Sequence, residues 1–154
     1  MIVIEHAGAD DVGTLVALES KLFVEDAGRH DKFADVTWPE REGHRDFARL
    51  LADAACSVLV ARDDDVVVGY LVGYVSSSPT RQPVTHAVLR SLYVERDRRR
   101  QGIGHLLTER FVAWARENGC VEAHVESYTA NGAAQQFYER HGFTPQSLSR
   151  VLPL

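Results

Sequence analysis

The 154-residue chain has little that would staple or anchor a fold: it contains two cysteines, and no apolar run approaches the ~20 residues that span a bilayer. Cys56 and Cys120 each open an apolar segment, where small side chains pack, so both are expected in the core and not in a disulfide. No basic leader or processing site precedes Ile2, which with the missing spans predicts a soluble cytoplasmic protein without a membrane partner. Positive charge is not in excess. A formal net charge of −5 argues against a nucleic-acid partner, because counterion release needs a basic face. Histidine occurs seven times without ligand spacing. The nearest grouping, His124 with Glu126, is ordinary strand alternation, and no metal is expected. Repeats, low-complexity segments and Pro- or Gly-rich linkers are missing too, which leaves one domain over residues 1–154.

What is present alternates helical and strand periodicity. Residues 2–6 read as a strand, and Val12, Leu15, Val16, Leu22 and Phe23 line one side of a helix. A polar stretch, 25–39, precedes a second helix that starts near Pro39 and buries Phe47, Leu50, Leu51 and Ala54. Residues 57–62 and 66–76 form an expected hairpin closed by Asp63, Asp64 and Asp65; its second arm is apolar on both faces and therefore central. After a turn at 79–83 comes a strand over 87–94. A helix carrying Ile103, Leu106, Leu107, Phe111 and Trp114, a short strand at 121–125, another helix and a final strand pair near 144–152 complete an α/β mixture.

The most informative segment joins the strand at 87–94 to the next helix through Arg99, Arg100, Gln101, Gly102, Ile103 and Gly104. A helix start carries unpaired N–H groups and partial positive charge, so two glycines there let a pyrophosphate approach the backbone. Two other phosphate loops are excluded. A Walker loop needs Lys and Ser/Thr after its last glycine, where His105 and Leu106 stand, and the dinucleotide fingerprint needs a third glycine or alanine at Leu107. Arg96, Arg98, Arg99 and Arg100 crowd the approach, either as a solvated loop or as a draw for a polyphosphate.

The Arg/Gln-x-x-Gly-x-Gly/Ala pattern resembles the GNAT superfamily of acyl-CoA-dependent N-acetyltransferases. A second motif, from Asn131 through Gly132, Phe137, Tyr138 and Gly142 to Phe143, resembles that family as well. The resemblance implies the GNAT fold, a central mixed, mostly antiparallel sheet flanked by helices, and acetyl-CoA as cofactor. Leu92, Tyr93 and Val94 are then expected to pair with the pantetheine arm. Arg99, Arg100, Gln101, Gly102, Ile103, Gly104 and His105 are expected to hold the pyrophosphate, with Asn131 on the cofactor and Tyr138 near its sulfur. A homodimer is also implied by the family.

An acyl-CoA thioester is already activated, so the protein must align an amine, remove its proton and supply one to the leaving sulfur. Tyr138 suits the acid role because a phenol is protonated at neutral pH; on helical spacing alone it also reads as a core aromatic. Many relatives place an acid before the Leu-Tyr-Val run, where this chain has Arg90 and Ser91. The base is left among Glu126, Glu25, Asp26, His86 and a water relay. For the acceptor, Glu25, Asp26, Asp31 and Asp35 with Phe33 and Trp38 suit a cationic amine, whereas Arg29, Lys32 and Arg90 suit an acidic one. The expected function is acetyl transfer from acetyl-CoA to a small-molecule or peptide amine; the alternative is a noncatalytic acyl-CoA-binding module.

Overall fold

The computed structural model describes residues 1–154. Strand β3 (Val66–Ser76) is buried on both faces from Val67 to Gly73, as an unbroken apolar run requires of a central strand. Around it form β1 (Ile2–His6), β2 (Cys56–Asp63), β4 (His86–Val94) and β5 (Ala123–Val125), in the order β1-β2-β3-β4-β5. The first four pair antiparallel, and β5 joins β4 parallel, giving the mixed sheet.

Helices cover both faces. On one side lie α1 (Val12–Glu25) and α3 (Trp38–Ala52), whose Leu15, Val16, Leu18, Phe47 and Leu50 pack with Val58, Val60, Tyr70, Val72 and Tyr93. On the other, α4 (Ile103–Glu117) sets Ile103, Leu107, Phe111, Trp114 and Ala115 against Leu59, Ala61, Leu71, Ala87 and Leu89. Helix α5 (Gly132–Arg140) adds Tyr138 to this second core. A one-turn helix, α2 (Ala27–His30), lies within the polar stretch at 25–39.

Three expectations are corrected. Residues 144–154 form no strand pair. Pro145 and Pro153 lack N–H donors, and β5 is only three residues long, so the segment has little edge to pair with. Cys56 and Cys120 are free but half-buried, because each sits where its apolar segment meets the surface and not at the segment's centre. Ala54 is exposed because α3 ends two residues earlier, at Ala52. No helix is long and apolar enough to cross a membrane.

Candidate active site

Strands β4 and β5 stay together for three pairs, Ala87 with Ala123, Val88 with His124 and Leu89 with Val125, and then part. Beyond that point Ser91, Leu92, Tyr93 and Val94 remain paired to β3, while no strand pairs with the β5-facing edge of β4. Arg90 and Glu126 are the first residues past the last pair on the two strands, so they form the lips of the opening. Glu126 is exposed there.

A β-bulge coincides with this opening. Val72 pairs with Ser91 but Gly73 with Leu89, leaving Arg90 as the extra residue. The alternation consequently changes phase: Ala87 and Leu89 face α4, and beyond the bulge Leu92 and Val94 do, while Tyr93 packs toward α1 and α3. Arg90, the residue after Leu89, points to the α1/α3 face by ordinary alternation. Its Nη2 donates to Asp46 Oδ2 at 2.6 Å and lies 3.5 Å from Glu19 Oε1, and Asp46 also receives Arg49 at 2.8 Å.

Glu19 and Asp46 were not among the residues drawn from the sequence, although a signal existed. A glutamate within the apolar phase of Leu15, Val16 and Leu22 is an acid on a buried stripe. Its side chain is 1% exposed and its Oε2 has no partner. Burial, with a smaller push from Asp46, raises its pKa to about 7 against the pull of Arg90. Beside it the Tyr70 hydroxyl is buried without a partner, and burial first, then the Glu19 charge, raises the phenol well above its ordinary value.

The turn after Val94 has the form of an anion cradle. Arg100 and Gly102 adopt φ of 62° and 81°, and Gly102 caps α4, whose first amides, on Ile103, Gly104 and His105, have no carbonyl within the helix. The glycines differ in purpose. Gly102 has open space around it and serves the backbone conformation, whereas a Cβ on Gly104 would stand 3.2 Å from the Phe137 ring, so that glycine lets α5 pack on α4. His105 joins the same contact: its Nδ1 is 2.9 Å from His141 Nε2, and its Nε2 is 3.2 Å from Glu109.

The four arginines divide. Arg96 and Arg99 both donate to Glu25, at 3.1 and 2.6 Å, while Arg99 also donates to the Val94 carbonyl and lies over the Tyr93 ring. The Glu25 carboxyl titrates below its ordinary range because these hydrogen bonds outweigh its burial. Arg98 turns to Asp63, and Arg100 alone is free of ion pairs. Glu25 therefore faces the phosphate side of the opening.

Across the opening, Asn131 caps α5 by accepting from Ala134 N–H at 3.1 Å, and its Nδ2 donates to Asp26 at 3.0 Å. Asp26 lies 3.9 Å from His30 Nε2, whose ring faces Tyr128. Half-buried Tyr138 sits between the Phe137 and Phe143 rings, its pKa pushed up to about 12 by burial and then by Asp26. The phenol thus holds its proton at neutral pH. Phe33 is 83% exposed, and Trp38 opens α3 stacked on Phe23. His86 is stacked on His124 at the closed end of β4, its pKa lowered by burial and then by His124, away from Arg90 and Tyr138.

The cradle, the unpaired strand edge and the proton-bearing tyrosine suit a phosphate-bearing, extended thioester. The family model for the acetyltransferase (GNAT) family matches residues 23–143. Among solved structures, a mutant of the BH1408 protein from Bacillus halodurans is 22% identical over 99% of both chains, with a TM-score of 0.89. A transcriptional regulator from Bacillus halodurans C-125 is 22% identical over 100% of both chains, with a TM-score of 0.83. The aminoglycoside N-acetyltransferase AAC(6')-Iy, in complex with CoA, is 15% identical over 100% of this chain and 95% of that one, with a TM-score of 0.81. At these identities the likeness is one of fold. No curated protein matches the chain by sequence.

Proposed function

Because the chain belongs to the GNAT acetyltransferase family, we propose that it transfers the acetyl group of acetyl-CoA directly to a primary amine in a ternary complex. The observation that carries this reading is the run from the β4 edge of Leu92, Tyr93 and Val94, which β5 does not pair, into the Arg100–Gly102 cradle, with protonated Tyr138 on the helix whose Phe137 packs on Gly104. The first amides of α4 and the side chain of Arg100 would hold the pyrophosphate, and the β4 edge would hold the pantetheine arm. Acetyl-CoA supplies an activated thioester carbonyl.

The rest falls to the protein. An alkylamine with a pKa near ~10.4 needs about 4 to 5 kcal/mol to lose its proton at pH 7. Glu126, the exposed carboxylate at the lip, takes that proton directly or through water. The amine nitrogen then bonds the carbonyl carbon, the carbon–sulfur bond breaks, the Tyr138 proton goes to the departing sulfur, and the second nitrogen proton returns through water to the phenolate, leaving a neutral amide and thiol. Arg90, Asp26, Phe33 and Trp38 line the acceptor side, with Glu25 set behind Asp26 to order Arg96 and Arg99. A homodimer belongs to this reading: Leu148, Val151, Leu152 and Leu154, exposed on the unpaired tail, offer apolar surface to a second copy.

Amine-dependent release of CoA thiol from acetyl-CoA, measured over small amines, aminoglycosides, polyamines and peptides, tests the proposal. Release with one class supports it. Tight acetyl-CoA binding with no release from any amine would favour the noncatalytic acyl-CoA-binding module.

A further inference from the structure

We propose that the acceptor is an amine bearing a carboxylate close to its nitrogen, an α-amino acid or a compound of that kind, and that Arg90 receives this carboxylate. The inference rests on the transferase reading and names the substrate class of the same site.

Arg90 is the fixed cation at the opening. Strand alternation after Leu89 aims it at the α1/α3 face, and Asp46 and Glu19 hold it through a single nitrogen, Nη2. Its Nε and Nη1 have no protein partner, and the side chain is 27% exposed. Nη2 belongs to both two-nitrogen edges of the guanidinium, so Nε and Nη1 remain as separate N–H donors, each able to give one charge-assisted hydrogen bond to a carboxylate oxygen.

The charge around it is incompletely neutralised. Asp46 is shared between Arg90 and Arg49, and burial keeps Glu19 protonated in part at neutral pH. Arg90 is therefore only partly compensated by its two acids, which favours an anionic ligand at its remaining N–H groups.

Two of the carboxylates that could hold a polycation are bound by arginine: Glu25 by Arg96 and Arg99, and Asp35 by Arg41. Asp31 and Asp26 accept from neutral donors, the Phe33 amide and Asn131. Glu126 faces Arg90 directly. It stands on the opposite lip from Arg90, and parallel strands lie about 4.8 Å apart before they splay. A ligand that satisfies both lips has its ammonium and carboxylate within a few bonds of each other.

The experiment uses leucine, methionine, phenylalanine, serine, glutamate and lysine, each beside its α-carboxamide, with spermidine and an aminoglycoside as polycations. Binding to the CoA-loaded protein is measured by calorimetry, and thiol release from acetyl-CoA by initial rates, for wild type, Arg90→Gln and Arg90→Lys. The expected result is a preference of about tenfold or more for at least one free amino acid over its carboxamide, expressed in Kd and KM. That preference falls to near unity in Arg90→Gln and is partly kept in Arg90→Lys, while acetyl-CoA affinity, the check on folding, is unchanged. Preferred binding of a polycation or carboxamide, or a carboxylate preference that survives in Arg90→Gln, overturns the inference. Turnover without the preference defeats the inference alone; the preference without turnover upholds the binding claim and defeats the transferase reading alone.

Discussion

The Asn131 carboxamide caps α5 with its oxygen and donates its nitrogen to Asp26, joining the last turn of the α1 segment to the second motif across the mouth of the sheet. Asn131→Ala removes both bonds and is expected to cost about 1 kcal/mol of stability, the usual loss of an N-cap. Asn131→Asp keeps the cap but sets a carboxylate against Asp26, so it should also be destabilised, and Asp26→Asn in the same chain should recover the loss. Urea unfolding of the three variants checks this; an Asn131→Asp protein as stable as wild type would contradict it.

Tyr138 is held protonated by burial and by the Asp26 charge, with a pKa of about 12. Tyr138→Phe is expected to keep acetyl-CoA affinity and lower kcat about 100-fold, the low end for loss of a general acid. The wild-type rate should show no fall attributable to the phenol between pH 7 and 10. Equal kcat in the two proteins would remove Tyr138 from the chemistry.

Gly102 and Gly104 should fail for different reasons when replaced by alanine. At Gly102 the cost, about 1 to 2 kcal/mol, comes from φ of 81°. At Gly104 a cost of about 1 to 3 kcal/mol comes from crowding against Phe137. Adding Phe137→Leu should rescue Gly104→Ala and leave Gly102→Ala unrescued, as read by thermal unfolding.

Glu19 makes stability depend on pH. Its pKa in the fold, about 7, lies above the ordinary 4.5, so the folded state favours the protonated acid. The associated stability is full below about pH 4.5 and is lost as pH rises through about 7, by up to about 3 kcal/mol. Wild type should therefore lose stability relative to Glu19→Gln between pH 5 and 8. A difference that stays constant over that window would show that Glu19 is ionised throughout.

Much of this was readable from local patterns. The unbroken apolar run of β3 marked the central strand, and Gly102 after the strand ending at Val94 marked the start of α4, because both depend on residues adjacent in sequence. The bulge at Arg90 was hidden: no turn residue signals it, and it emerges only from the change in which side chains face α4. Glu25 looked like an acceptor-side acid until the fold brought Arg96 and Arg99, over seventy residues away, onto it. The function of Gly104 depends likewise on Phe137 from another helix. The tail at 144–154 has strand-like apolar residues, but its prolines and the three-residue β5 leave it unpaired.

The most direct test of direct transfer at the opening between β4 and β5 is the initial rate of thiol release with acetyl-CoA and an amine varied together, the product identified by mass. The account predicts intersecting double-reciprocal lines, an N-acetylated amine, and no acetylated protein when amine is withheld. Parallel lines with an acetylated protein, or bound acetyl-CoA that no amine discharges, would contradict it.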